Sequence, residues 1–473
     1  MNFPGTVVAA LRGGSGKTVM SVGIVAAWKK LGKKVVPFKK GPDYIDAGWL
    51  ALAAGRPCYN LDTFLIHQNK VLSSFQSHIQ KNDLAVIEGN RGLFDGIDTK
   101  GSTSTAELAK LLKLPVILCV DCTKSTRTMA AVVLGCIQFD PKVKIKGAIL
   151  NRIAGARHEN ILRKSIEEHC GIPALGAVPK LKELNFPERH MGLVPTHEHA
   201  WAQESIAAMA KIAEKYIDLE TIENIARTES LYNQEKIEQS QASVSVLSDE
   251  DSNENRPKIG IVKDSAFQFY YPENIDALHL AGADIVFISP LSSDKIPQVD
   301  ALYIGGGFPE THAEVLAENK GFRKELKSLA EDGLPIYAEC GGLMFLGEEL
   351  ILDEKVYPMA GVFPVIFGFS KKPQGHGYTV VEVENKNPYF KIGTEIRGHE
   401  FHYSKVLKWD GDDSDLVFVM KKGKGFKDQR DGLCYKNVFA TYTHIHALGT
   451  PEWAKSFVRA AVLYKAKKKG QAS

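Results

Sequence analysis

The chain lacks several features that would point to particular protein classes. It has no strong excess of charge, since 59 Lys and Arg residues face 56 Asp and Glu residues and the net charge is +3. This near balance argues against a nucleic acid or a membrane surface as the partner. No apolar run approaches the length of a transmembrane helix, and the N-terminal segment lacks the charged and apolar blocks of a signal peptide. We therefore expect a cytoplasmic protein.

The chain also lacks the cysteine spacing of a disulfide framework. Its seven cysteines are scattered and odd in number, which is typical of a protein from the reducing cytosol. Cys119 and Cys122 form a CxxC motif, which a metal or redox site could use. Because Cys119 lies in the apolar segment PVILCVD and no second cysteine pair completes a zinc site, we expect packed free cysteines instead.

Apolar segments of strand length alternate with segments of helical period from the start of the chain. In the first half, the expected strands are residues 6–10, 35–38, 84–88, 116–121 and 146–151, and the expected helices include residues 18–30 and 105–112. Such alternation is typical of a mostly parallel sheet that helices cover on both faces. The sequence therefore predicts the α/β fold class.

Residues 217–257 interrupt this alternation. The polar stretch TESLYNQEKIEQSQASVSVLSDEDSNENRPK has no glycine and few large apolar side chains, so it cannot bury enough surface to fold alone. The alternation resumes at Lys258. We therefore predict two doubly wound α/β domains, residues 1–216 and 258–473, joined by a linker at 217–257.

Residues 11–18, LRGGSGKT, lie between an expected strand and an expected helix. They match a Walker A phosphate loop, except that Leu11 stands where the pattern has glycine. In such a loop the backbone N–H groups turn toward phosphate oxygens, the lysine reaches the β- and γ-phosphates, and the Thr hydroxyl binds Mg²⁺. A purely structural glycine turn is the weaker interpretation, because GKT follows in this setting. The residues expected to bind nucleotide are Gly13, Gly14, Ser15, Gly16, Lys17 and Thr18.

Carboxylates that could also hold Mg²⁺ follow the next strands of the expected sheet. Asp43 and Asp46 lie in the loop after the second strand, Glu88 ends a strand, and Asp95 follows Glu88 closely. The carboxyl ends of parallel strands face the crevice in which α/β sheets bind ligands. Asp121 also ends a strand, and a capping or loop role is equally compatible with its position.

Two lysines, Lys39 and Lys40, precede the first of these carboxylates. One interpretation is that both are surface charges. The other is that they contact an anionic substrate, because Asp43 is close to them in sequence. The sequence leaves both interpretations open.

The segment LPIYAECGGLMFLGEEL predicts a strand, a sharp turn of small residues and a helix. Cys340 stands at the turn, as the nucleophile does in the elbow of many hydrolases. A helix N-terminus lowers the pKa of a thiol, so we expect a stabilised thiolate there. Gly341 would offer one N–H group of an oxyanion hole, and the turn with Gly306 and Gly307 in LYIGGGFPE would offer another.

A nucleophilic thiol needs a base, and several histidines follow in the same half of the chain. We predict that His444, at the end of a β-like run in ATYTHIHALG, is the base and that His446 orients it. A lone histidine is more often structural. The pairs in RGHEFHYS and YTHIH, together with a cysteine elbow, favour the catalytic interpretation. A histidine metal site is a weak alternative, because no cysteine or carboxylate lies at ligand spacing.

Segments in both halves of the chain match one protein family and leave out only the linker and the ends. They are VVPFKKGPDYIDAGW, GRPCYNLDTF, AVIEGNRGLFDG, STAELAKLLKLPVILCVD, KGAILNRI, PERHMGLV, AFQFYYPENIDAL, LYIGGGFPE, IYAECGGLMFLG, RGHEFHYS and ATYTHIH. Together they resemble the cobyrinic/cobyric acid amidotransferase family. The resemblance implies a dethiobiotin-synthetase-like P-loop ATPase domain and a class I glutaminase domain. It also implies amidation of the a- and c-acetate carboxylates of cobyrinic acid, a corrinoid, with ATP, Mg²⁺ and L-glutamine.

The resemblance further implies roles for individual residues. Cys340 is similar to the glutaminase nucleophile and His444 to its histidine. Asp95, and Asp46 in the same group of carboxylates, are implied as active-site carboxylates. The residues implied at the ATP end are Thr18, Asp43 and Glu88 for the metal and Asn151 for the adenine edge.

The chain departs from the family pattern at three places. The phosphate loop begins RGGSGKT where many relatives have a longer glycine-rich form, and Arg91 stands in EGNRGLFDG where a neutral residue is commoner. His446 stands where a class I triad has its glutamate, which leaves the third member of the triad open. The oligomeric state is also open, with a homodimer as the alternative to a monomer.

Three other functions are compatible with parts of the sequence. A nickel-sirohydrochlorin a,c-diamide synthase of coenzyme F430 synthesis shares the same motifs. A cobyric acid synthase fits less well, because AFQFYYPEN and the chain length favour the diamide type. A partitioning or scaffolding ATPase has a similar phosphate loop but does not explain the cysteine elbow or His444.

Overall fold

The computed structural model describes residues 3–80, 82–181, 188–189, 192–193, 201–231 and 256–471. The chain divides into two compact units, residues 1–245 and 246–473. Two parts of the sequence interpretation lie outside the described residues: linker residues 232–255 and half of the family segment PERHMGLV, at Pro187, His190, Met191 and Val194.

The first unit contains a parallel sheet built from short buried strands. Its strands are β1 (Gly5–Ala10), β2 (Val35–Lys40), β3 (Tyr59–Leu61), β4 (Leu84–Glu88), β5 (Val116–Asp121), β6 (Ile145–Ile153) and β7 (Ala174–Pro179), followed by the short pair β8 (Glu188–Arg189) and β9 (Gly192–Leu193). The sheet order is β3-β2-β4-β1-β5-β6-β7, and every pair in it is parallel. The predicted α/β class is therefore confirmed, and the phosphate loop follows the strand at the centre of the sheet.

The helices of the first unit are α1 (Lys17–Lys30), α2 (Ile45–Ala54), α3 (Gln68–Ser77), α4 (Thr105–Leu112), α5 (Arg127–Phe139), α6 (Ala156–Cys170), α7 (Ala202–Tyr216) and α8 (Leu219–Leu231). Helices α1 to α6 connect the strands of this sheet, as parallel pairing requires, and α7 and α8 follow the last strand. Ser104 caps α4, since its side chain accepts a hydrogen bond from Glu107 N. Helix α1 is buried along most of its length, because α2 and α7 pack on it in one apolar core.

Helix α8 occupies the start of the segment that we interpreted as a linker from residue 217. Its Ile222 and Ala226 are buried in the core of the first unit, and Ile217 makes a β-bridge with Gly176. The polar composition of the segment concealed this helix, because a few apolar residues on one face, with Leu219 and Ile225 packed beside Ile222 and Ala226, are enough to dock it. The linker interpretation was therefore wrong for residues 219–231.

The second unit contains a larger sheet with two different halves. The strands of this sheet run in the order β12-β10-β13-β15-β24-β23-β22-β19-β20-β25. The unit's strands are β10 (Lys258–Val262), β11 (Phe267–Phe269), β12 (Asp284–Ile288), β13 (Ala301–Ile304), β14 (Gly306–Gly307), β15 (Ile336–Glu339), β16 (Glu349–Leu352), β17 (Lys355–Pro358), β18 (Val365–Phe369), β19 (Gly375–Val383), β20 (Glu395–His402), β21 (Ser404–Trp409), β22 (Leu416–Lys422), β23 (Arg430–Tyr435), β24 (Val438–Thr441) and β25 (His444–Ile445). Pairing is parallel from β12 to β24 and antiparallel from β24 to β25.

The parallel half was expected from the strand–helix alternation, and the antiparallel half was not. The helices of the second unit are α9 (Pro272–Leu280), α10 (Ala313–Glu318), α11 (Lys320–Glu331), α12 (Gly341–Leu346) and α13 (Pro451–Gln471). The same unit contains a smaller sheet of order β17-β16-β18-β21. In the part of the chain that the structure describes, no helix is both long and apolar enough to cross a membrane.

Replacing Ile222 by Ala tests whether α8 is part of the first unit. Ile222 is fully buried, so the change should destabilise this unit by about 2–5 kcal/mol through lost apolar contact and a cavity. The exposed Asn224 on the same helix supplies the control, since Asn224→Ala should change stability by less than about 0.5 kcal/mol. Urea unfolding followed by tryptophan fluorescence measures both variants. Equal midpoints for the two would mean that the segment does not contribute to the core.

Candidate functional site

The phosphate loop of the first unit has a conformation that needs glycine at residue 16. Gly14 and Gly16 have φ values of 71° and 89°, in the left-handed region. A Cβ at Gly16 would also lie 2.3 Å from Nδ2 of Asn151. Ser15 Oγ donates to Arg12 O at 3.1 Å, which closes the turn before α1 begins. Loop and helix start therefore have the arrangement that the motif predicts.

Lys17 follows the loop and is mostly buried, with 8 % of its surface exposed. Burial lowers the pKa of Lys17, and the nearby carboxylate of Glu88 opposes this effect. An ammonium in such a crevice is poorly hydrated, so a negatively charged group there would interact with it strongly.

Asn151 holds the phosphate loop from the neighbouring strand. Its Nδ2 donates to Ser15 O at 2.8 Å, and its Oδ1 accepts from Arg152 N at 2.9 Å. The side chain is buried. These bonds give Asn151 a structural part in the loop, and contact with an adenine edge stays a prediction.

Carboxylates, a hydroxyl and one lysine meet where β2, β4 and α1 converge. Thr18 Oγ1 donates to Glu88 Oε1 at 2.7 Å and to Asp46 Oδ2 at 3.3 Å. Lys39 Nζ lies 2.6 Å from Asp46 Oδ2, 3.1 Å from Glu88 Oε1 and 3.7 Å from Asp43 Oδ2. We call these five residues the carboxylate–lysine cluster. Lys39 has only 1 % of its surface exposed, so the surface-charge interpretation was wrong for it.

The charges of this cluster are only partly balanced. Burial raises the pKa of Asp43 to about 6 and that of Glu88 to about 7. Burial also acts on Asp46, but the ammonium of Lys39 outweighs it and lowers the pKa of Asp46. Lys40 is buried too, and its pKa is lowered by burial, so it is likewise no surface charge.

The cluster fits the Mg²⁺ that the sequence predicts. The Oε2 atom of Glu88 is buried and has no hydrogen-bond partner. Carboxylate and hydroxyl oxygens are the ligands that Mg²⁺ prefers, and it is usually held by one or two carboxylates together with phosphate groups. Among the described residues, no group of three His, Cys, Asp or Glu side chains could hold a metal ion alone. Mg²⁺ would therefore be held by the Thr18 hydroxyl and carboxylates jointly with a nucleotide.

Two further carboxylates of the first unit have different surroundings. Asp95 is exposed, and its Oδ2 accepts from Gly92 N at 2.9 Å, which leaves the carboxylate accessible. Asp121 is paired with Arg152 at 2.6 Å and with Arg12 at 3.3 Å. Burial raises the pKa of Asp121, but hydrogen bonds from Thr123 and Arg152 outweigh it and bring the value to about 2. Asp121 is thus an ion-pair residue, which favours its structural interpretation.

The CxxC cysteines are packed in the sheet. Cys119 and Cys122 are buried and free, and Cys119 Sγ donates to Ser15 O at 3.4 Å behind the phosphate loop. Burial raises the pKa of both thiols to about 12. The interpretation as packed free cysteines is confirmed.

In the second unit, Cys340 stands between β15 and α12 with φ 48° and ψ −96°. This backbone conformation is rare for a residue other than glycine and costs about 1–3 kcal/mol. Cys340 N donates to Thr441 O at 2.8 Å on β24, which holds the turn in place. The first turn of α12 packs so closely on β13 that it needs glycine at residue 342, since a Cβ there would lie 2.3 Å from Ile304 O. The predicted nucleophile elbow is present.

The glycines of the predicted oxyanion hole come together beside this elbow. A Cβ at Gly341 would lie 3.0 Å from Gly307 N and 3.4 Å from Gly306 C. The turn at Gly306 also touches the predicted base, because a Cβ there would lie 2.5 Å from His444 Cε1. The elbow, the glycine turn and the imidazole therefore share one small region.

The thiol of Cys340 is not the low-pKa group that the sequence suggested. Burial raises the pKa of the Cys340 thiol, and the carboxylates of Glu310 and Glu339 raise it further, whereas a hydrogen bond with Gly341 N–H lowers it. The helix that begins here, α12, is six residues long, so its dipole is weak beside the desolvation of a thiolate that is only 4 % exposed. The expected lowering was therefore wrong for the protein without substrate.

Glu339, the residue before the nucleophile, binds the predicted base. Its Oε2 lies 3.1 Å from His444 Nδ1. Tyr303 OH donates to Oε2 at 3.2 Å and Tyr337 OH to Oε1 at 3.3 Å, and Ile445 N donates to Oε1 at 3.2 Å. Glu339 is fully buried. We missed it in the sequence, where its position beside Cys340 in YAEC was the only available signal.

His446, our predicted orienting residue, makes other contacts. Its Nδ1 accepts from Leu448 N at 3.2 Å, and its Nε2 lies 3.5 Å from Glu273 Oε1. Nδ1 of His444 instead faces Glu339, so the assignment of His446 as the orienting residue is corrected. Side chains two residues apart on a strand face the same side, and this rule suggested that His446 lies beside His444. The rule does not apply here, because β25 ends at Ile445 and His446 lies beyond it.

The two halves of the chain match models of two known domain types. Residues 6–194 match the CobQ/CobB/MinD/ParA nucleotide binding domain. Residues 258–452 match the CobB/CobQ-like glutamine amidotransferase domain. The two predicted domain types are thus confirmed.

Relatives match the chain over nearly its full length. A protein of Magnetococcus marinus called cobyrinate a,c-diamide synthase is 44% identical over 97% of this chain and 97% of its own. Proteins with the same name from Archaeoglobus fulgidus and Listeria innocua are each 38% identical, over 98% and 94% of this chain and 98% and 96% of their own. The chain therefore belongs to the cobyrinate a,c-diamide synthase family, and it is an enzyme of the ligase type with a glutamine amidotransferase domain.

Proposed function

We propose that the chain amidates the a- and c-acetate carboxylates of cobyrinic acid, using ATP and the amide nitrogen of L-glutamine. One observation carries this proposal: a single chain combines a phosphate loop followed by the carboxylate–lysine cluster with a strained cysteine elbow beside a Glu-bound histidine. The name of the full-length relatives supports cobyrinic acid as the substrate.

Glutamine hydrolysis is the task of the second unit. Cys340 attacks the side-chain amide carbon of glutamine, and the N–H groups of Gly341 and the Gly306–Gly307 turn bind the oxyanion. His444 takes the thiol proton, gives it to the departing ammonia, and then activates the water that cleaves the thioester. Removal of this proton by His444 offsets the raised pKa of Cys340. Glu339 keeps the His444 ring in one orientation and stabilises its protonated form.

Carboxylate activation is the task of the first unit. A corrinoid carboxylate attacks the γ-phosphorus of ATP, ADP leaves, and ammonia displaces phosphate from the acyl phosphate. Lys17 and the loop N–H groups offset the charge on the phosphoryl oxygens. Mg²⁺, held by Thr18, Glu88 and Asp43 or Asp46, would supply further charge compensation. Asp95, which is accessible, is our candidate for a contact near the reacting carboxylate.

Nickel-sirohydrochlorin remains the second candidate substrate, because the same motifs serve both macrocycles. Purified protein with ATP, Mg²⁺ and ¹⁵N-amide glutamine should yield doubly amidated, doubly labelled cobyrinic acid in mass spectra. If the protein amidates nickel-sirohydrochlorin but not cobyrinic acid, nickel-sirohydrochlorin is the substrate instead. The glutaminase-like elbow argues against a partitioning ATPase, and an absence of glutamate release would support that function again.

We also propose a cytoplasmic location, which the scattered cysteines support. A homodimer is compatible with the proposed function.

Cys340→Ala separates the two tasks. The variant should lose glutamine-dependent amidation by at least about 10³-fold, because no other group can form the thioester. Amidation with added ammonium salt should persist. Cys434→Ala, at a half-buried cysteine of the same unit, is the matched control and should keep both activities. Loss of the ammonium-dependent reaction in Cys340→Ala alone would contradict the division of labour.

Glu339→Gln tests the third member of the triad. An amide can bind the wrong histidine tautomer and cannot stabilise the imidazolium, so kcat for glutamine hydrolysis should fall by about 10²–10⁴-fold. His446→Asn provides the comparison and should cost less than about tenfold. Steady-state glutamate release, with ammonium-dependent amidation as the folding check, measures both. The reverse ranking would restore His446 as the orienting residue.

The raised pKa of Cys340 predicts how the rate of its alkylation by iodoacetamide depends on pH in the absence of substrate. A thiol below its pKa gains about tenfold in thiolate per pH unit, so alkylation should accelerate throughout pH 7–9.5 without a plateau. Peptide mass spectrometry at Cys340 gives the rate. A plateau below pH 8 would instead mean that the free protein already holds a thiolate beside protonated His444.

A further inference from the structure

Lys39 contacts the same carboxylates that the proposed mechanism assigns to Mg²⁺. Its Nζ lies 2.6 Å from Asp46 Oδ2, 3.1 Å from Glu88 Oε1 and 3.7 Å from Asp43 Oδ2. The steps of carboxylate activation described above give this lysine no task. Two positive groups that contact the same oxygens repel each other strongly in a buried site. The ammonium of Lys39 and a divalent cation therefore compete for these carboxylates.

The position of Lys39 is fixed by its backbone and by its burial. Lys39 lies opposite Glu88 in the parallel pairing of β2 with β4 and opposite Asn60 in the pairing of β2 with β3. Its side chain is almost fully buried, and Nζ also donates to Gly89 O at 3.4 Å. A buried ammonium keeps its carboxylate partners unless other negative charge reaches it, because an unpaired buried charge is costly. Lys39 therefore holds the acidic side chains of the carboxylate–lysine cluster in place.

The cluster has carboxylate charge left for a cation but too few ligands to hold Mg²⁺ tightly without phosphate. Three carboxylates face the ammonium of Lys39, and Lys17 is a second ammonium whose charge acts on Glu88 and Asp46. The Oε2 atom of Glu88 is buried without a hydrogen-bond partner, so this oxygen can still bind a cation.

The phosphate loop lies next to these carboxylates and can supply what they lack. Thr18, the second residue of α1, donates to Glu88 Oε1 at 2.7 Å, so the start of the helix and the carboxylates meet at one oxygen. Mg²⁺ keeps several waters in protein sites and is usually bound through one or two carboxylates together with phosphate groups. The remaining ligands for a cation at this oxygen therefore come from a nucleotide in the loop.

We propose that Lys39 is a positioning residue that makes cation binding depend on nucleotide, an inference that rests on the Mg²⁺ site of the proposed function. Its ammonium holds Asp46 and Glu88 in place and, by competing for their oxygens, weakens the binding of a divalent cation alone. Nucleotide phosphates supply further ligands for the cation and add negative charge beside the ammonium groups, which shifts the competition toward the cation. Mg²⁺ therefore binds together with ATP and only weakly without it.

Mn²⁺ binding to the full chain without nucleotide tests this inference, because the EPR signal of free Mn²⁺ falls as the ion binds. Lys39→Met removes the competing ammonium with little change in side-chain length, so it should raise the Mn²⁺ affinity by at least about tenfold. Lys39→Arg keeps the charge and should leave the affinity as low as in the unaltered protein. Lys34→Met, at an exposed lysine just before β2, is the matched control and should not change the affinity.

A second neutral variant covers the case in which Lys39→Met does not fold. Lys39→Gln also removes the charge, but its amide can still donate hydrogen bonds to the carboxylates. It should show the same gain in Mn²⁺ affinity. Circular dichroism of each variant without metal checks that it is folded.

Each other outcome has a defined meaning. Equal Mn²⁺ affinity of the folded neutral variant and the unaltered protein would overturn the role of Lys39 and leave the proposed function standing. An equal gain in Lys34→Met would show a general effect of net charge and likewise overturn it. With the nonhydrolysable ATP analogue AMPPNP, adding the unaltered protein should change the EPR spectrum of the Mn²⁺–nucleotide complex. If it does not, the metal site of the proposed function fails, and the role of Lys39 fails with it.

Discussion

The hydrogen bond between Glu339 and His444 joins the parts of the glutaminase site. A buried carboxylate is costly unless donors surround it, and Glu339 receives hydrogen bonds from two tyrosines and a backbone N–H in addition to its contact with the imidazole. Glu339 is covalently next to Cys340, so one residue fixes the predicted base relative to the predicted nucleophile. In the proposed mechanism, the strained elbow and the glycine turn then act on one substrate amide.

The first unit also buries carboxylates, and there a lysine ammonium compensates part of their charge. Three carboxylates converge on the Thr18 hydroxyl region, and the buried Lys39 compensates part of their charge. A buried ion group of this kind contributes little net stability but strongly restricts the positions of its members. The remaining negative charge and the unbonded Glu88 oxygen are compatible with a divalent cation. Each unit thus places its chemistry at the carboxyl ends of parallel strands.

The sequence predicted the elements whose signals are local. Residues 84–88, 105–112 and 116–121 have the expected bounds, because apolar runs and a serine cap act within a few residues. The phosphate loop and the Cys340 elbow were found for the same reason. Helix α8 was missed because its stability comes from docking of Ile222 and Ala226 on a distant core, and no local pattern reports such docking. Burial of Lys39 was missed likewise, since its partners come from other elements.

By itself the sequence determined the phosphate-loop motif, the cysteine elbow, the fold class and the family, because each depends on residue types at short, fixed spacing. Tertiary structure alone decided which acid contacts His444, since Glu339 is 105 residues away in sequence and meets it only when β24 pairs with β15 and sets Thr441, just before His444, opposite Glu339. It also decided the thiol pKa of Cys340, because desolvation depends on everything that surrounds the sulfur and not on the helix that follows it.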